Sequence, residues 1–133
     1  MMPKEFTPII RLLLVDDEVE FTSIMVKRLG RRNIVTTTAN NGDQALLLLD
    51  KNTYDVAVLD LKMEGMDGLE VLKMFKLKAP DLPVIMLTGH GSQLAAEEGF
   101  AHGAFDYLSK PYDIEGLTQI IRKAVFGGRE QHE

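Results

Sequence analysis

The chain has 133 residues, no cysteine and a net charge of −5, from 15 basic and 20 acidic side chains. This length suits one domain, the lack of cysteine excludes disulfides and thiolate metal sites, and the acidic balance argues against direct binding of nucleic acid. No apolar run reaches the roughly 20 residues that span a bilayer, and residues 1–8 lack the apolar core of a signal peptide. We therefore expect a cytoplasmic protein without a membrane segment.

Short apolar runs alternate with helical patterns along the chain, which predicts a βαβ layout. In chain order, the predicted elements are a strand at 10–15, a helix at 18–28, a strand at 34–38, a helix at 43–50, a strand at 55–59, a helix at 67–76, a strand at 82–87, a helix at 93–98, a strand at 104–108 and a helix at 113–126. Residues 1–8 are interpreted as an N-terminal extension and residues 127–133 as a polar, frayed tail.

Gly30 is a plausible C-terminal stop for the first helix. The fourth helix is expected to lie between Gly91 and Gly99. The apolar face of the first helix is predicted to carry four side chains: Phe21, Ile24, Met25 and Leu29.

The predicted fold class is α/β, with one doubly wound sheet of five parallel strands and helices on both faces. Strands one, three and four are continuous apolar runs, as expected for parallel strands buried on both faces. Crossovers should be right-handed. The pattern alone does not fix the strand order, but the flavodoxin-like order 2-1-3-4-5 is the common solution, with its ligand-binding switch point between strands one and three.

Five polar side chains follow the predicted strands at the edge where ligands bind in such sheets. Asp16 and Asp17 follow strand one, Asp60 follows strand three, Thr88 follows strand four and Lys110 follows strand five. Because the carboxyl ends of parallel strands share one edge, we expect these side chains to meet. Three carboxylates, a hydroxyl and an ammonium can hold a divalent cation and handle a phosphoryl group.

Each of these residues also has a simpler interpretation. The acids at 16–18 could favour a helix start through the macrodipole, although one acid would suffice. Asp60 could begin a loop by an Asx-type hydrogen bond, Thr88 could be a turn hydroxyl, and Lys110 a solvated loop lysine. The combination favours a functional site over these separate interpretations, because all of these residues fall on one edge of a sheet that was predicted from other residues.

Four segments resemble the receiver domain of response regulators. They are residues 13–18 (LLVDDE), 60–68 (DLKMEGMDG), 87–89 (LTG) and 103–111 (GAFDYLSKP), and the resemblance covers residues 9–126. Residues 88–91, together with Gly103 and Ala104, are most similar to receivers of nitrogen-regulation-type activators. The resemblance implies two-component signalling: a sensor histidine kinase or a phosphotransfer protein would donate a phosphoryl group to the domain.

The resemblance also implies residue roles in the acidic part of the site. Asp60 would be the phosphoacceptor, forming an aspartyl phosphate. Mg²⁺ would be the cofactor, bound directly by Asp17, Asp60 and the backbone carbonyl of Lys62. Asp16 would reach the ion through water. No activity beyond self-catalysed phosphorylation and dephosphorylation is implied.

Further roles are implied at the ends of strands four and five. Thr88 and Lys110 would contact the phosphoryl oxygens as the catalytic pair, and Tyr107 would be the aromatic switch residue that turns inward when Thr88 moves. A plain half-buried strand aromatic is the competing interpretation of Tyr107. Pro111 permits a cis peptide bond after Lys110 that would aim the lysine inward.

This sequence departs from the family pattern in the loop after Asp60. Glu64 stands where the family usually has proline, so the loop is expected to be looser. Lys62 and His90 occupy the two variable positions that flank the phosphorylation site. Our hypothesis is that they tune the phosphoryl lifetime, whereas the alternative is that both side chains point into solvent.

The surface that would respond comprises helix four, strand five and helix five. Its expected members are Gln93, Glu97, Phe105, Tyr107 and Tyr112. It would bind an output protein or an effector domain, or pair two copies of the domain as a homodimer.

Three other functions are alternatives to the signalling switch. A haloacid-dehalogenase-type phosphatase needs a second acid two residues after its nucleophile, where this chain has Lys62. A flavin- or nucleotide-binding module needs a hydroxyl- or glycine-rich loop after strand one, where this chain has acids. A pseudo-receiver that serves only as a scaffold for protein interaction remains as the alternative.

Overall fold

A computed structural model describes residues 8–63, 67–89 and 93–130, and the side chains of residues 128–130 lie outside the description. Strands and helices alternate as the sequence predicts. The elements are β1 (Ile10–Val15), α1 (Val19–Gly30), β2 (Ile34–Ala39), α2 (Gly42–Lys51), β3 (Val56–Asp60), α3 (Gly68–Lys78), β4 (Val84–Thr88), α4 (Gln93–Ala101), β5 (Asp106–Ser109) and α5 (Ile114–Glu130).

The strands form one parallel sheet in the order β2-β1-β3-β4-β5. This confirms the predicted fold class and strand order. β1 and β3 are neighbours at the switch point, with Leu12 opposite Val56 and Val15 opposite Leu59. The carboxyl ends of these two central strands therefore lie side by side, which places the acids that follow β1 beside Asp60, the last residue of β3.

Two apolar clusters fill the two faces of the sheet. The first cluster includes Leu72 and Phe75 of α3, packed on one face. The second includes Leu29 of α1 and two residues of α5, Leu117 and Ile121, packed on the other. β3 and β4 are buried along their whole length, which explains why both appear in the sequence as unbroken apolar runs.

The ends and faces of α1 differ from the prediction. Ile24 is 54% exposed, because the buried stripe of this helix consists of Thr22, Met25 and Leu29 and turns Ile24 outward. Gly30 is the last helical residue but has no left-handed backbone. The chain reverses instead at Asn33, with φ of 63°, a conformation that asparagine tolerates.

Three other helices, α3, α4 and α5, end later than expected, at Lys78, Ala101 and Glu130. α4 continues through Gly99 to Ala101. Gly99 lies against Met86 of β4, where a Cβ would collide with the thioether. Gly99 therefore lies inside the helix, where the close contact with Met86 requires a residue without a side chain. α5 continues to Glu130, four residues beyond its predicted end at 126. Within the described residues, no helix is long and apolar enough to cross a membrane.

Replacing Gly99 by alanine should destabilise the protein by about 1–3 kcal/mol, because buried Met86 must leave its rotamer to admit the new methyl group. Gly30→Ala is the matched control, since a Cβ there meets nothing within 4 Å. Gly30→Ala should leave the free energy of unfolding unchanged or raise it slightly. Urea denaturation measures both, and equal stabilities for the two variants would contradict the packing role of Gly99.

Candidate functional site

Asp16 is held rigidly at the end of β1. Its backbone N–H donates to the carbonyl of Ala39 at 3.0 Å, which extends the pairing of β1 with β2. Its side chain is fully buried, and Oδ1 accepts the backbone N–H of Glu18 at 3.0 Å. Asp17, the next residue, is exposed. One carboxylate is therefore fixed inside the site while its neighbour faces solvent.

Asp60 ends β3 with its carboxylate almost completely buried at 2% exposure. Oδ1 accepts the backbone N–H of Lys62 at 2.9 Å. Oδ2 accepts the ammonium of Lys110 at 2.7 Å. Both carboxylate oxygens thus have a donor, which offsets the cost of burying the charge.

Lys110 brings three acids together from its position after β5. Its Nζ lies 2.7 Å from Asp60, 3.7 Å from Glu18 and 4.0 Å from Asp16. Burial lowers the pKa of this ammonium, but the hydrogen bond to Asp60 and the surrounding carboxylates outweigh burial and raise the pKa above its ordinary value. Lys110 therefore stays charged at neutral pH.

The backbone also ties Lys110 to β4. Its N–H donates to the carbonyl of Thr88 at 3.0 Å, and the peptide bond between Lys110 and Pro111 is cis. Thr88 itself is buried, and within the described ranges its hydroxyl has no hydrogen-bond partner. This hydroxyl remains able to bind a group that enters the site.

The three aspartates are close enough to share a cation. Oxygen atoms of Asp16, Asp17 and Asp60 lie within 4.8 Å of one another. Burial, together with the charge of Asp60, raises the pKa of Asp16 to about 6 despite the hydrogen bond from Glu18. Oδ2 of Asp16 has no hydrogen-bond partner among the residues that the structure describes. Crowded carboxylate oxygens with spare acceptor capacity fit a hard divalent cation such as Mg²⁺.

Lys62 lies over the side of the site next to Thr88. Its side chain runs beside Gly89, where a Cβ would stand 3.5 Å from the Lys62 Nζ. An open cavity of about 290 Å³ adjoins both residues and Thr88. The ammonium thus stays near the site although Lys62 is exposed. His90 and Glu64 lie outside the described residues.

Comparison with known proteins agrees with this arrangement. The family model of the response regulator receiver domain matches residues 12–122. The chain belongs to this family. It is 38% identical over 120 residues to the DNA-binding transcriptional regulator NtrC of Salmonella typhimurium, covering 90% of this chain and 26% of that protein. It is 36% identical over 113 residues to the heme response regulator HssR of Staphylococcus haemolyticus, covering 85% of this chain and 50% of that protein.

Solved structures show the same similarity. NtrX from Brucella abortus, in complex with ADP, superposes with a TM-score of 0.85 at 29% identity, over 93% of this chain and 29% of that one. A response regulator receiver domain protein from Clostridium thermocellum superposes with a TM-score of 0.84 at 29% identity, over 92% of this chain and 99% of that one. The resemblance to receivers of nitrogen-regulation-type regulators is therefore confirmed. The chain spans about a quarter of the length of the NtrC relatives.

Exposed apolar side chains of α4, of β5 and of the residue Phe105 before it form a patch that we call the α4–β5 surface. Leu94 and Phe100 of α4 are 69% and 45% exposed, and Phe105 and Tyr107 are 38% and 36% exposed. The rings of Phe100 and Tyr107 make an edge-on contact with centroids 5.9 Å apart. Tyr107 thus points outward in this structure. The sequence analysis did not include Leu94 and Phe100 in this surface. Apolar and polar residues are so weakly segregated along α4 that the sequence does not indicate which face of the helix is exposed.

Tyr112 lies elsewhere than the sequence interpretation placed it. Its ring packs edge-on against Phe21 of α1, with centroids 5.9 Å apart, and its hydroxyl is buried. The residue therefore belongs to the α1 side of the receiver domain and not to the α4–β5 surface. The sequence analysis gives Glu18 no role beyond its place in the acidic segment 16–18. The structure adds a contact between its carboxylate and the Lys110 ammonium.

Proposed function

We propose that this receiver domain is a phosphorylation-activated switch in which Asp60 accepts a phosphoryl group from a histidine kinase or a phosphotransfer protein. The observation that carries the proposal is the buried Asp60 carboxylate, held by Lys110 at 2.7 Å and grouped with Asp16 and Asp17 within 4.8 Å. A carboxylate so placed has a cationic partner and room for a divalent ion beside it, as phosphoryl transfer requires.

The transfer converts one phosphoryl linkage into another. A carboxylate oxygen of Asp60 attacks phosphorus, the phosphorus–nitrogen bond of the donor phosphohistidine breaks, and the imidazole takes up a proton from solvent. Asp17, Asp60 and the carbonyl of Lys62 would hold Mg²⁺ directly, with Asp16 acting through water. Bound there, Mg²⁺ offsets the charge that gathers on the phosphoryl oxygens.

Lys110 and Thr88 then change partners. The phosphoryl group brings a charge of about −1.5 to −2 and three acceptor oxygens. The ammonium of Lys110 moves from Asp60 to a phosphoryl oxygen, and the unpartnered hydroxyl of Thr88 donates to another. Thr88 pairs with Ser109 of β5, so its movement reaches the strand that carries Tyr107 and favours the inward rotamer of that ring.

The output surface comprises α4, β5 and the adjoining face of α5. Its exposed apolar side chains, Leu94, Phe100, Phe105 and Tyr107, suit contact with an output domain, a separate protein or a second receiver. NtrC relatives are DNA-binding transcriptional regulators, so an effector domain that binds DNA is one output this receiver would control. The acidic receiver itself is not expected to bind nucleic acid.

Intact-mass spectrometry tests the proposed function. The protein is incubated with acetyl phosphate, with Mg²⁺ or with EDTA, beside an Asp60→Asn variant. A phosphoryl adduct that requires Mg²⁺ and is absent from the variant supports the switch. The absence of any adduct on the folded parent protein would contradict the proposal and favour the pseudo-receiver scaffold.

We also propose that Lys62 prolongs the life of the aspartyl phosphate. Its side chain covers the Gly89 side of the site, where it shields the phosphoryl group from attacking water. Lys62→Ala should shorten the phosphoryl half-life by roughly twofold to fivefold, which corresponds to about 0.4–1 kcal/mol in the barrier. Loss of the adduct is followed by mass spectrometry after removal of the donor.

Lys51→Ala is the control for Lys62. Lys51 is the last residue of α2 and is exposed, so its loss removes the same charge away from the site. The control should keep the parent half-life. A Lys62→Ala protein that loses its phosphoryl group at the parent rate would rule out the shielding role. The corresponding role of His90 stays a prediction.

A further inference from the structure

The strand β2 forms one edge of the sheet and lacks the features that commonly block pairing at an edge. Among the described elements it pairs with β1 alone. Its six residues, IVTTTA, contain no charge, no proline and no glycine, and nearly all are β-branched. Proteins often protect an edge with charged residues, with proline or with a very short strand. β5, at the other edge, has four residues and begins with Asp106. β2 is thus the edge that is open to pairing with a further strand.

The backbone of β2 directs a row of hydrogen-bonding groups away from the sheet. The carbonyls of Asn33 and Ala39 face β1, because each accepts a backbone N–H from that side, of Ile10 at 2.9 Å and of Asp16 at 3.0 Å. Backbone groups of successive residues alternate between the two sides of a strand. The alternate residues between these two carbonyls therefore direct both N–H and C=O outward: Ile34, Thr36 and Thr38. Such a row is a template for another strand.

We propose that β2 is a docking surface for a second copy of this chain, with the two β2 strands paired antiparallel about a two-fold axis at Thr36. In this register Thr36 lies opposite Thr36 of the partner subunit, and Ile34 lies opposite Thr38 of the partner subunit. Each outward N–H and C=O of these residues then has a partner. The same patch serves both copies, as a closed two-fold interface requires. The inference goes beyond the proposed function and does not depend on phosphorylation.

The side of the sheet that carries α2 has room for side chains of the second copy. Val35 is 57% exposed. Together with Thr37 it lines an open cavity of about 640 Å³ between β2 and the last turn of α2. In the proposed register Val35 lies opposite Thr37 of the partner subunit, on the same side of the sheet as this cavity. Pairing would remove apolar surface of Val35 from water, which favours association.

The distribution of charge favours the antiparallel orientation. Two cations, Arg11 and Lys51, line the cavity near the amino end of β2, and within the described ranges neither side chain has an ion pair. The acid of the cavity, Asp50, is bound to Lys78 at 2.9 Å. Asp43 is exposed in the first turn of α2, which follows the carboxyl end of β2. An antiparallel pair brings the cationic end of each copy towards the Asp43 end of the other, whereas a parallel pair would bring like charges together.

Pairing through β2 leaves the acid site free. β2 and β5 lie at opposite edges of the sheet, and the groups that pair belong to the backbone of β2. Monomer and dimer should therefore take up and lose the phosphoryl group at the same rate. The α4–β5 surface also stays exposed, so it remains available to an output partner.

The first test is the association of Val35→Lys, followed by sedimentation velocity over a range of protein concentrations without a phosphoryl donor. The interface is small, so the parent should dimerise with a micromolar dissociation constant. Val35→Lys should raise that constant about tenfold or more, because it adds two ammonium groups near the axis, beside Arg11 and Lys51. Val19→Lys is the matched control. Val19 is also 57% exposed, at the start of α1, and this variant should dimerise like the parent.

The second test removes one outward N–H at the axis. Thr36→Pro deletes a donor that the monomer does not use, whereas Thr36→Val keeps the donor and removes a hydroxyl without a partner in the described part of the chain. Thr36→Pro should be monomeric and Thr36→Val dimeric. In the parent, the three outward amides of β2 should exchange with deuterium more slowly at high protein concentration than in dilute solution, as measured by NMR. Thermal melts in dilute solution check that each variant folds.

The outcomes separate this inference from the proposed function. A parent that stays monomeric up to about 1 mM would overturn the inference. So would a dimer that persists in both Val35→Lys and Thr36→Pro, or one in which slowed exchange is confined to β5, since the copies would then meet through another surface. None of these results concerns Asp60. A dimer that forms no phosphoryl adduct would instead contradict the proposed function and leave the pairing through β2 intact.

Discussion

Asp16→Asn should stabilise the cation-free protein by about 1–2 kcal/mol and weaken Mg²⁺ binding at least tenfold. The pKa of buried Asp16 is raised from 3.8 to about 6, so its charged form costs free energy at neutral pH. The whole shift would correspond to roughly 3 kcal/mol. We expect a smaller stabilisation, because asparagine at position 16 also removes one of the carboxylates that interact favourably with the Lys110 ammonium. Urea denaturation in EDTA and calorimetry with Mg²⁺ measure the two effects.

The stabilisation should depend on pH. The folded protein binds a proton at Asp16 more tightly than the unfolded chain does, because the pKa of Asp16 in the unfolded chain is 3.8. As pH falls from above 6 to about 4, Asp16 becomes protonated in the folded state first, and the parent gains stability relative to the variant. The difference between Asp16→Asn and the parent should therefore be largest above pH 6 and shrink toward pH 4.

Asp43→Asn is the control for Asp16. Asp43 is an exposed acid in the first turn of α2, so its replacement removes the same charge without relieving burial. It should leave Mg²⁺ affinity unchanged and should not stabilise the protein. A cation-free Asp16→Asn protein that is less stable than the parent at pH 7.5 would contradict the conclusion that the acid site holds unrelieved negative charge.

Lys110→Ala should slow phosphorylation of Asp60 by tenfold or more. Phosphorylation of this variant should no longer change the conformation of the output surface. The lysine is the one cation within 4.0 Å of Asp16, Glu18 and Asp60 in the described part of the chain, and without it the phosphoryl charge lacks a partner. The rate is measured from adduct formation with acetyl phosphate and Mg²⁺. The response of the surface is measured as the chemical-shift change of the Tyr107 ring on phosphorylation.

Lys51→Ala again supplies the control, with the parent rate and the parent shift expected. In Lys110→Ala, the slow adduct should form without moving the Tyr107 resonances. Normal phosphorylation kinetics in Lys110→Ala would show that Asp60 does not depend on this ammonium. An unchanged Tyr107 response would show that the signal reaches β5 by another route.

The position of the site was predictable because it depends on topology more than on detail. Parallel strands end at one edge, so a polar residue after each apolar run has to lie near the others. Asp16, Asp60, Thr88 and Lys110 meet for this reason. The pattern of strands and helices did not fix the strand order, but the flavodoxin-like order was expected as the common solution for five strands, the family resemblance implied it, and the structure confirms it.

The details that the sequence did not reveal depend on packing between elements. The fourth helix was expected to end before Gly99, whereas it continues through this glycine, which packs against Met86. The spacing of Ile24 is typical of a buried helical position, but α1 packs on the sheet through the neighbouring stripe that contains Met25. Tyr112 follows a loop whose direction decides whether its ring joins α1 or the α4–β5 surface, and the pattern of residues does not fix that direction.

The central claim is that Asp60 carries the phosphoryl group, and the most direct measurement is the identity of the modified residue. The protein is treated with acetyl phosphate and Mg²⁺, the acyl phosphate is reduced with borohydride to homoserine, and the peptides are sequenced by mass spectrometry. The account predicts homoserine at position 60, dependent on Mg²⁺. Homoserine at Asp16 or Asp17 instead, or none in a folded protein, would contradict it.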